Sequence, residues 1–215
     1  MKKYYGILLL ILLTPLACLS QSSDQEWSLF RGRPDLAGST NIEIAANPSL
    51  LWRLPAEGRT KSSPVVSGGM IYFGTDKGSV IAAGTDGKIK WRYEGGAAAE
   101  AAPLVYADKV IIGLSDGTMH AINKTNGKLV WKYKTDGQIA GSANAWSTGK
   151  KSGIVFGSYD YYLHSVDPSN GFLQWKLETM NYVNGTPAVS NNNIVFGGCD
   201  GFIRIVDAFS GREKD

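Results

Sequence analysis

Pro103-Leu104-Val105-Tyr106, Lys109-Val110-Ile111-Ile112-Gly113, Thr118-Met119-His120-Ala121-Ile122 and Lys128-Leu129-Val130-Trp131-Lys132-Tyr133 are four short apolar runs in the middle of the chain. Ala107-Asp108, Asp116-Gly117 and Asn123-Lys124-Thr125-Asn126-Gly127 separate them. The runs are rich in β-branched and aromatic residues, which suit a pleated surface better than a helix. Asp116-Gly117 is a two-residue hairpin signal, because glycine accepts positive φ. The stretch therefore predicts four antiparallel strands in about 40 residues.

The same pattern recurs on both sides. Trp52, Trp91, Trp131 and Trp175 are spaced by 39, 40 and 44 residues. Pro64, Pro103, Ala143 and Pro187 each follow their tryptophan by 12 residues, and Gly74, Gly113, Gly157 and Gly197 close the next apolar run. The extra length of the third unit falls in the polar residues 147–151, read as a longer turn. Lys77-Gly78 and Asp200-Gly201 repeat the hairpin signal, and Asp160-Tyr161 is a weaker version of it. One four-stranded sheet cannot bury both faces alone. Blades stacked around an axis do, with tryptophan filling the gaps between sheets.

The predicted fold is an all-β propeller of four-stranded antiparallel blades. About four are present, near 62–100, 101–141, 142–185 and 186–215. Residues 48–54 read as a lone fourth strand, and the last unit reads as three strands with Asp215 in the tryptophan slot. This order favours an incomplete ring over a closed four-bladed one. An open arc leaves sheet edges free for partners or self-association.

Ahead of the repeats lie two further regions, 1–20 and a leader at 21–47. Lys2 and Lys3 precede an apolar run from Ile7 to Leu13, followed by Pro15 and the small residues Ala17, Cys18 and Ser20. This is the pattern of a secretory signal, and the run is shorter than the ~20 apolar residues that span a bilayer. Two processing routes stay open: lipidation of Cys18, or cleavage after Ser20. Both place the protein in the periplasm or cell envelope. Without residues 1–20 the chain carries 20 basic and 19 acidic side chains. That balance offers no electrostatic footprint for nucleic acid, and membrane contact is expected only through a lipid anchor. Cys199 is then the single thiol of the folded part, expected to be buried and inert.

The spacing around the tryptophans resembles a known family. Asp86-Gly87-Lys88 precedes Trp91, Asn126-Gly127-Lys128 precedes Trp131, and Asn170-Gly171-Phe172, with Asp167 ahead of it, precedes Trp175. These are similar to the tryptophan-docking motif of pyrroloquinoline-quinone-like, or BamB-like, propeller repeats. Trp27-Ser28-Leu29-Phe30-Arg31-Gly32 is similar to the opening of many secreted members. The first unit departs by having Gly84 near the aspartate slot. The resemblance implies a propeller, and it admits two activities: quinone-dependent dehydrogenation, and protein assembly in the envelope.

No catalytic residues stand out. His120 and His164 share a strand slot with Ile81 and Arg204, which marks a packing or solvent-facing position rather than a metal pair. Asp76, Asp116, Asp160 and Asp200 lie in hairpin turns, where aspartate bonds its own backbone. The binding candidates are aromatic residues outside the docking series: Trp146, beside the insertion and expected to tolerate truncation, and Tyr159, Tyr161 and Tyr182. The expectation is a non-catalytic envelope scaffold that binds protein or glycan through propeller loops and needs no cofactor. The alternatives are part of an oxidoreductase using pyrroloquinoline quinone with calcium, and a carbohydrate-binding or sensory domain.

Overall fold

Alternating apolar residues and glycine turns build sixteen strands in the computed structural model, which describes residues 26–214. Residues 1–25, with the expected signal and Cys18, and Asp215 lie outside the described residues. The first sheet holds β1 (Val65–Ser67), β2 (Met70–Gly74), β3 (Ser79–Gly84) and β4 (Ile89–Glu94). The second holds β5 (Leu104–Tyr106), β6 (Lys109–Gly113), β7 (Thr118–Asn123) and β8 (Leu129–Lys134). The third holds β9 (Asn144–Ser147), β10 (Ser152–Gly157), β11 (Tyr162–Val166) and β12 (Leu173–Glu178). The fourth holds β13 (Ala188–Ser190), β14 (Asn193–Gly197), β15 (Ile203–Asp207) and β16 (Glu213–Lys214). Each sheet is an antiparallel meander in sequence order. The insertion at 147–151 is the turn between β9 and β10, closed by Thr148 N–H donating to Lys151 O at 2.9 Å.

Each tryptophan locks its own blade to the next. Trp91 pairs with Ala82, Trp131 with Ala121 and Trp175 with Ser165, small partners that leave room for the ring. The ring crosses the junction and lies on a turn glycine of the following blade. Trp91 covers Gly127, Trp131 covers Gly171 and Trp175 covers Gly211. Each indole N–H donates to a carbonyl of the same turn: Lys124 O at 2.8 Å, Pro168 O at 3.0 Å and Ala208 O at 3.1 Å. Gly127 shows why glycine is needed there. Its φ is +71°, and an added Cβ would sit 2.9 Å from the Trp91 ring.

Three hydrophobic clusters fill the three junctions between consecutive blades. The far face of the fourth blade is bare. Ile203 is 80% exposed and Ile205 43%, while Met119 and Ala121, their counterparts in the second blade, are fully buried. The four blades therefore form an open arc, an incomplete propeller.

Two sequence expectations need correction. Residues 48–54 are not a strand. A fourth strand needs the free edge of a third, and the third strands of all four sheets are already paired among the described residues. Trp52 still docks on Gly87, with its indole N–H donating to Thr85 O at 2.8 Å. The last unit has four strands rather than three, because β16 pairs with Ile205 and Val206.

The leader runs along the inner strands and ties the arc together. Trp27 exchanges backbone hydrogen bonds with Val66 of β1, and Ser28 O accepts from Val105 N–H of β5. Pro34 O accepts from Val189 N–H of β13 at 2.7 Å and from Asn144 Nδ2 of β9 at 2.7 Å. Leu29 is buried in the cluster between the second and third blades.

Candidate functional site

Every blade junction uses one backbone scheme, and the side chains on it differ. At the second turn of each blade an N–H donates to the linker that arrives from the preceding segment. Asp76 donates to Arg59 O, Ser115 to Ala98 O, Tyr159 to Gln138 O and Cys199 to Tyr182 O. Asp116, Asp160 and Asp200 each close their own turn, accepting from the N–H of Thr118, Tyr162 and Phe202. Asp76 instead accepts from Arg59 N–H of the linker. The repeat thus specifies what the scaffold needs at this end of the arc: short turns and a carbonyl in reach.

At the junction of the third and fourth blades the side chains exceed that need. Tyr159 and Tyr182 stack with centroids 4.5 Å apart, and Tyr161 tilts against Tyr182 at 5.3 Å. Tyr161 and Tyr182 are exposed. Tyr161 has φ +76°, and its slot is Gly78, Gly117 and Gly201 in the other blades. Its carbonyl is held by Thr179, which donates from both N–H and Oγ1. Sequence reading missed Met180 and Phe202, whose N–H groups both point at Asp200, at 3.3 Å and 3.2 Å. Both are exposed. The missed signal was positional for Met180, which takes the slot of Gly96 and Asp136, while Phe202 takes that of Ser79, Thr118 and Tyr162.

The other candidates fall elsewhere. Trp146 is only 2% exposed, its indole N–H donates to Ser165 Oγ, and it packs in the cluster between the third and fourth blades. It is a core residue, so both its place on a binding surface and its expected tolerance of truncation are corrected. Cys199 is exposed rather than buried, because it sits at the edge of a turn.

The histidines are buried packing residues with polar partners. Residues two places after the docking tryptophans face them across the junction. Tyr93 Oη lies 3.0 Å from His120 Nδ1, and Tyr133 Oη lies 3.0 Å from His164 Nδ1. At the third junction that place holds Leu177, and the slot opposite holds Arg204. His164 Nε2 is 3.0 Å from Asp160 Oδ2, and its ring stacks on Phe156. The run Asp160–His164–Tyr133 is joined by hydrogen-bond contacts, and its histidine is 2% exposed. Arg204 Nη1 lies 2.7 Å from Asp200 Oδ2, an ion pair without hydrogen-bond alignment. Burial, then the nearby Lys132 charge, pushes the His120 imidazole down to about 4, so it is neutral at pH 7.

On the inner side of the arc the leader and the inner strands line an open cavity of about 430 Å³. Leu29, Leu104, Tyr106, Asn144 and Val189 contribute to its wall, which contains no charged side chain. Pyrroloquinoline quinone carries three carboxylates and is used with calcium. Its carboxylates call for cationic partners and its calcium for carboxylate as well as neutral oxygens; the wall offers amide oxygens at Asn144, Asn191 and Asn192 but no cation and no carboxylate. Among the described residues no group of three His, Cys, Asp or Glu could hold a metal ion. The cavity does not fit that cofactor.

A family model described as outer membrane protein assembly factor BamB matches residues 41–214. The chain belongs to this family. Among curated relatives, BamB of Nitrosomonas eutropha is 27% identical over 85 residues, covering 40% of this chain and 21% of that protein. BamB of Yersinia pestis is 30% identical over 104 residues, covering 46% of this chain and 26% of that protein. The matches thus take in about a quarter or less of the curated relatives' length. The crystal structure of BamB from Moraxella catarrhalis superposes with a TM-score of 0.66 at 24% identity, over 77% of this chain and 52% of that one. A quinohemoprotein alcohol dehydrogenase from Comamonas testosteroni gives a TM-score of 0.73 at 15% identity, over 89% of this chain and 40% of that one. At these identities both structures speak for the blade fold alone.

Proposed function

We propose that the chain is a non-catalytic scaffold of the cell envelope that serves outer-membrane protein assembly by holding protein partners on its blade-end loops. One observation carries this reading. The arc that matches the BamB family buries its histidines in paired blade junctions and exposes aromatic residues at one loop-bearing end. Loops on a rigid sheet scaffold are where propellers meet partners, and tyrosine is a favoured anchor at such contacts. The apolar run after Lys2 and Lys3 supports export, with the mature chain starting at lipidated Cys18 or after Ser20. The bare face of the fourth blade adds a surface for self-association when no further blade covers it.

The test is a strain lacking the gene. Outer-membrane β-barrel proteins in its envelope fraction should fall and recover when the gene is returned on a plasmid. Unchanged levels in the deletion strain contradict the proposal.

A further inference from the structure

The blades are four versions of one unit, so the chain carries its own control for what packing alone requires. At four slots on the loop end, the junction of the third and fourth blades departs from the two junctions before it. Tyr159 replaces Asp76 and Ser115, Tyr161 replaces Gly78 and Gly117, and Tyr182 replaces Ala98 and Gln138. Met180 replaces Gly96 and Asp136; Phe202 stands where the two earlier junctions have Thr118 and Tyr162, and is set apart by its exposure of 57%. The same hydrogen bonds close the small-residue junctions, so the large side chains are not needed to join blades.

Tyr161 works against the fold. A side chain at φ +76° is strained, and glycine fills that slot in the three other blades. Its ring recovers little by burial, being 44% exposed. Met180 is 78% exposed and Phe202 57%. A strained backbone that presents an exposed ring beside two stacked tyrosines points to a contact made outside the chain.

The chemistry of the patch selects the occupant. The two acids beneath it are turned inward: Asp160 meets His164 at 3.0 Å and Asp200 meets Arg204 at 2.7 Å, with side-chain exposures of 9% and 3%. What remains outside is three phenols, a thioether and a phenyl ring. Tyrosine and methionine are enriched where proteins meet proteins, and methionine adapts its shape to an apolar partner. Tyr159 and Tyr182 stack on each other, and the five side chains include no carboxylate, amide or guanidinium to hold sugar hydroxyls. None of the five side chains carries a charge, so they offer no ion pair to a charged partner. We propose that Tyr159, Tyr161, Met180, Tyr182 and Phe202 form a docking surface for an uncharged, apolar polypeptide segment, with Tyr161 held in left-handed backbone to serve it. This rests on the scaffold reading and names the surface and the partner chemistry.

The experiment titrates the full chain with three probes, following tyrosine resonances by NMR. One is a short peptide of Leu, Val, Phe and Thr, one is a peptide of equal length with alternating Lys and Glu, and one is maltohexaose. Only the uncharged peptide should bind, shifting the resonances of Tyr161 and Tyr182. Tyr161→Gly should weaken it about tenfold or more, the loss of a modest interface anchor, and should raise the urea midpoint. Tyr182→Ser should weaken binding likewise. Failure of the uncharged peptide to bind, preference for the charged peptide or the sugar, or a lowered midpoint in Tyr161→Gly overturns the proposal. Peptide binding that both variants leave intact overturns the patch and leaves the scaffold reading standing. If the patch binds as described while the deletion strain assembles its outer membrane normally, the scaffold reading falls and the docking surface stands.

Discussion

Replacing Trp131 with alanine is expected to destabilise the chain by about 3–5 kcal/mol, the range for deleting a buried large aromatic. The indole is 6% exposed and sits in the cluster that joins the second and third blades. It covers Gly171 and donates to Pro168 O, so truncation opens a cavity and frees a carbonyl in one step. The surroundings cannot collapse into the gap, because each blade is held by its own ladder. Trp146→Ala should fall in the same range, since Trp146 is 2% exposed and bonded to Ser165. Urea midpoints of the two variants against the parent provide the check. A loss below about 1 kcal/mol for Trp131→Ala would mean that docking between blades contributes little to the arc.

Acid should weaken the fold through His120. The folded imidazole protonates at about 4 and an unfolded one near its ordinary 6.5. Above pH 6.5 neither state holds the proton and there is no effect. As the pH falls from 6.5 to 4 the unfolded chain binds a proton that the folded chain does not, so stability declines across that window. The full loss is roughly 3 kcal/mol, since each tenfold difference in proton affinity between the two states is worth about 1.4 kcal/mol. Carboxylates add to the loss at lower pH. Burial works against the charge on Asp160, but the His164 hydrogen bond and the other contacts outweigh it and hold the carboxyl below its ordinary range. That stabilisation goes as the pH falls through the carboxylate range. Comparing His120→Leu with the parent isolates the histidine. The variant should be less stable at pH 7, having lost the Tyr93 contact, and its midpoint should depend less on pH between 6.5 and 4. Equal slopes for the two proteins would contradict a buried neutral His120.

The blade pattern was legible because it is written in fixed offsets. A tryptophan, a residue 12 places on and a closing glycine recur four times, and each tryptophan marks a docking contact on a turn glycine. The segment around Trp52 shows the boundary of that reading. Its docking residue could be read, but a strand exists only where another strand has a free edge, which no local pattern encodes. Trp146 was misread because it stands outside the series. Its signal lay across the hairpin in Gly153, which pairs with it where the other blades have Met70, Lys109 and Asn193. A Cβ on Gly153 would sit 2.4 Å from the Trp146 indole nitrogen, so the glycine makes room for the ring.

The loop-end site was half legible. The three tyrosines drew notice as aromatics out of series, and the weak Asp160-Tyr161 turn became a positive φ in the structure. Met180 and Phe202 did not stand out, because single apolar residues in loops are common. Their meaning appears only when each is set against the same slot of its neighbours. The histidine partners were hidden for a related reason. Tyr93 and Tyr133 belong to the preceding blade, so the pairs form only when the sheets stack.

The central claim is that this arc works by docking and not by quinone chemistry. Titrating the purified chain with pyrroloquinoline quinone and Ca²⁺, while recording quinone absorbance and dye reduction with an alcohol, tests it most directly. The uncharged wall of the inner cavity predicts no saturable absorbance change and no dye reduction. A tight, stoichiometric quinone spectrum with alcohol-dependent dye reduction would contradict it.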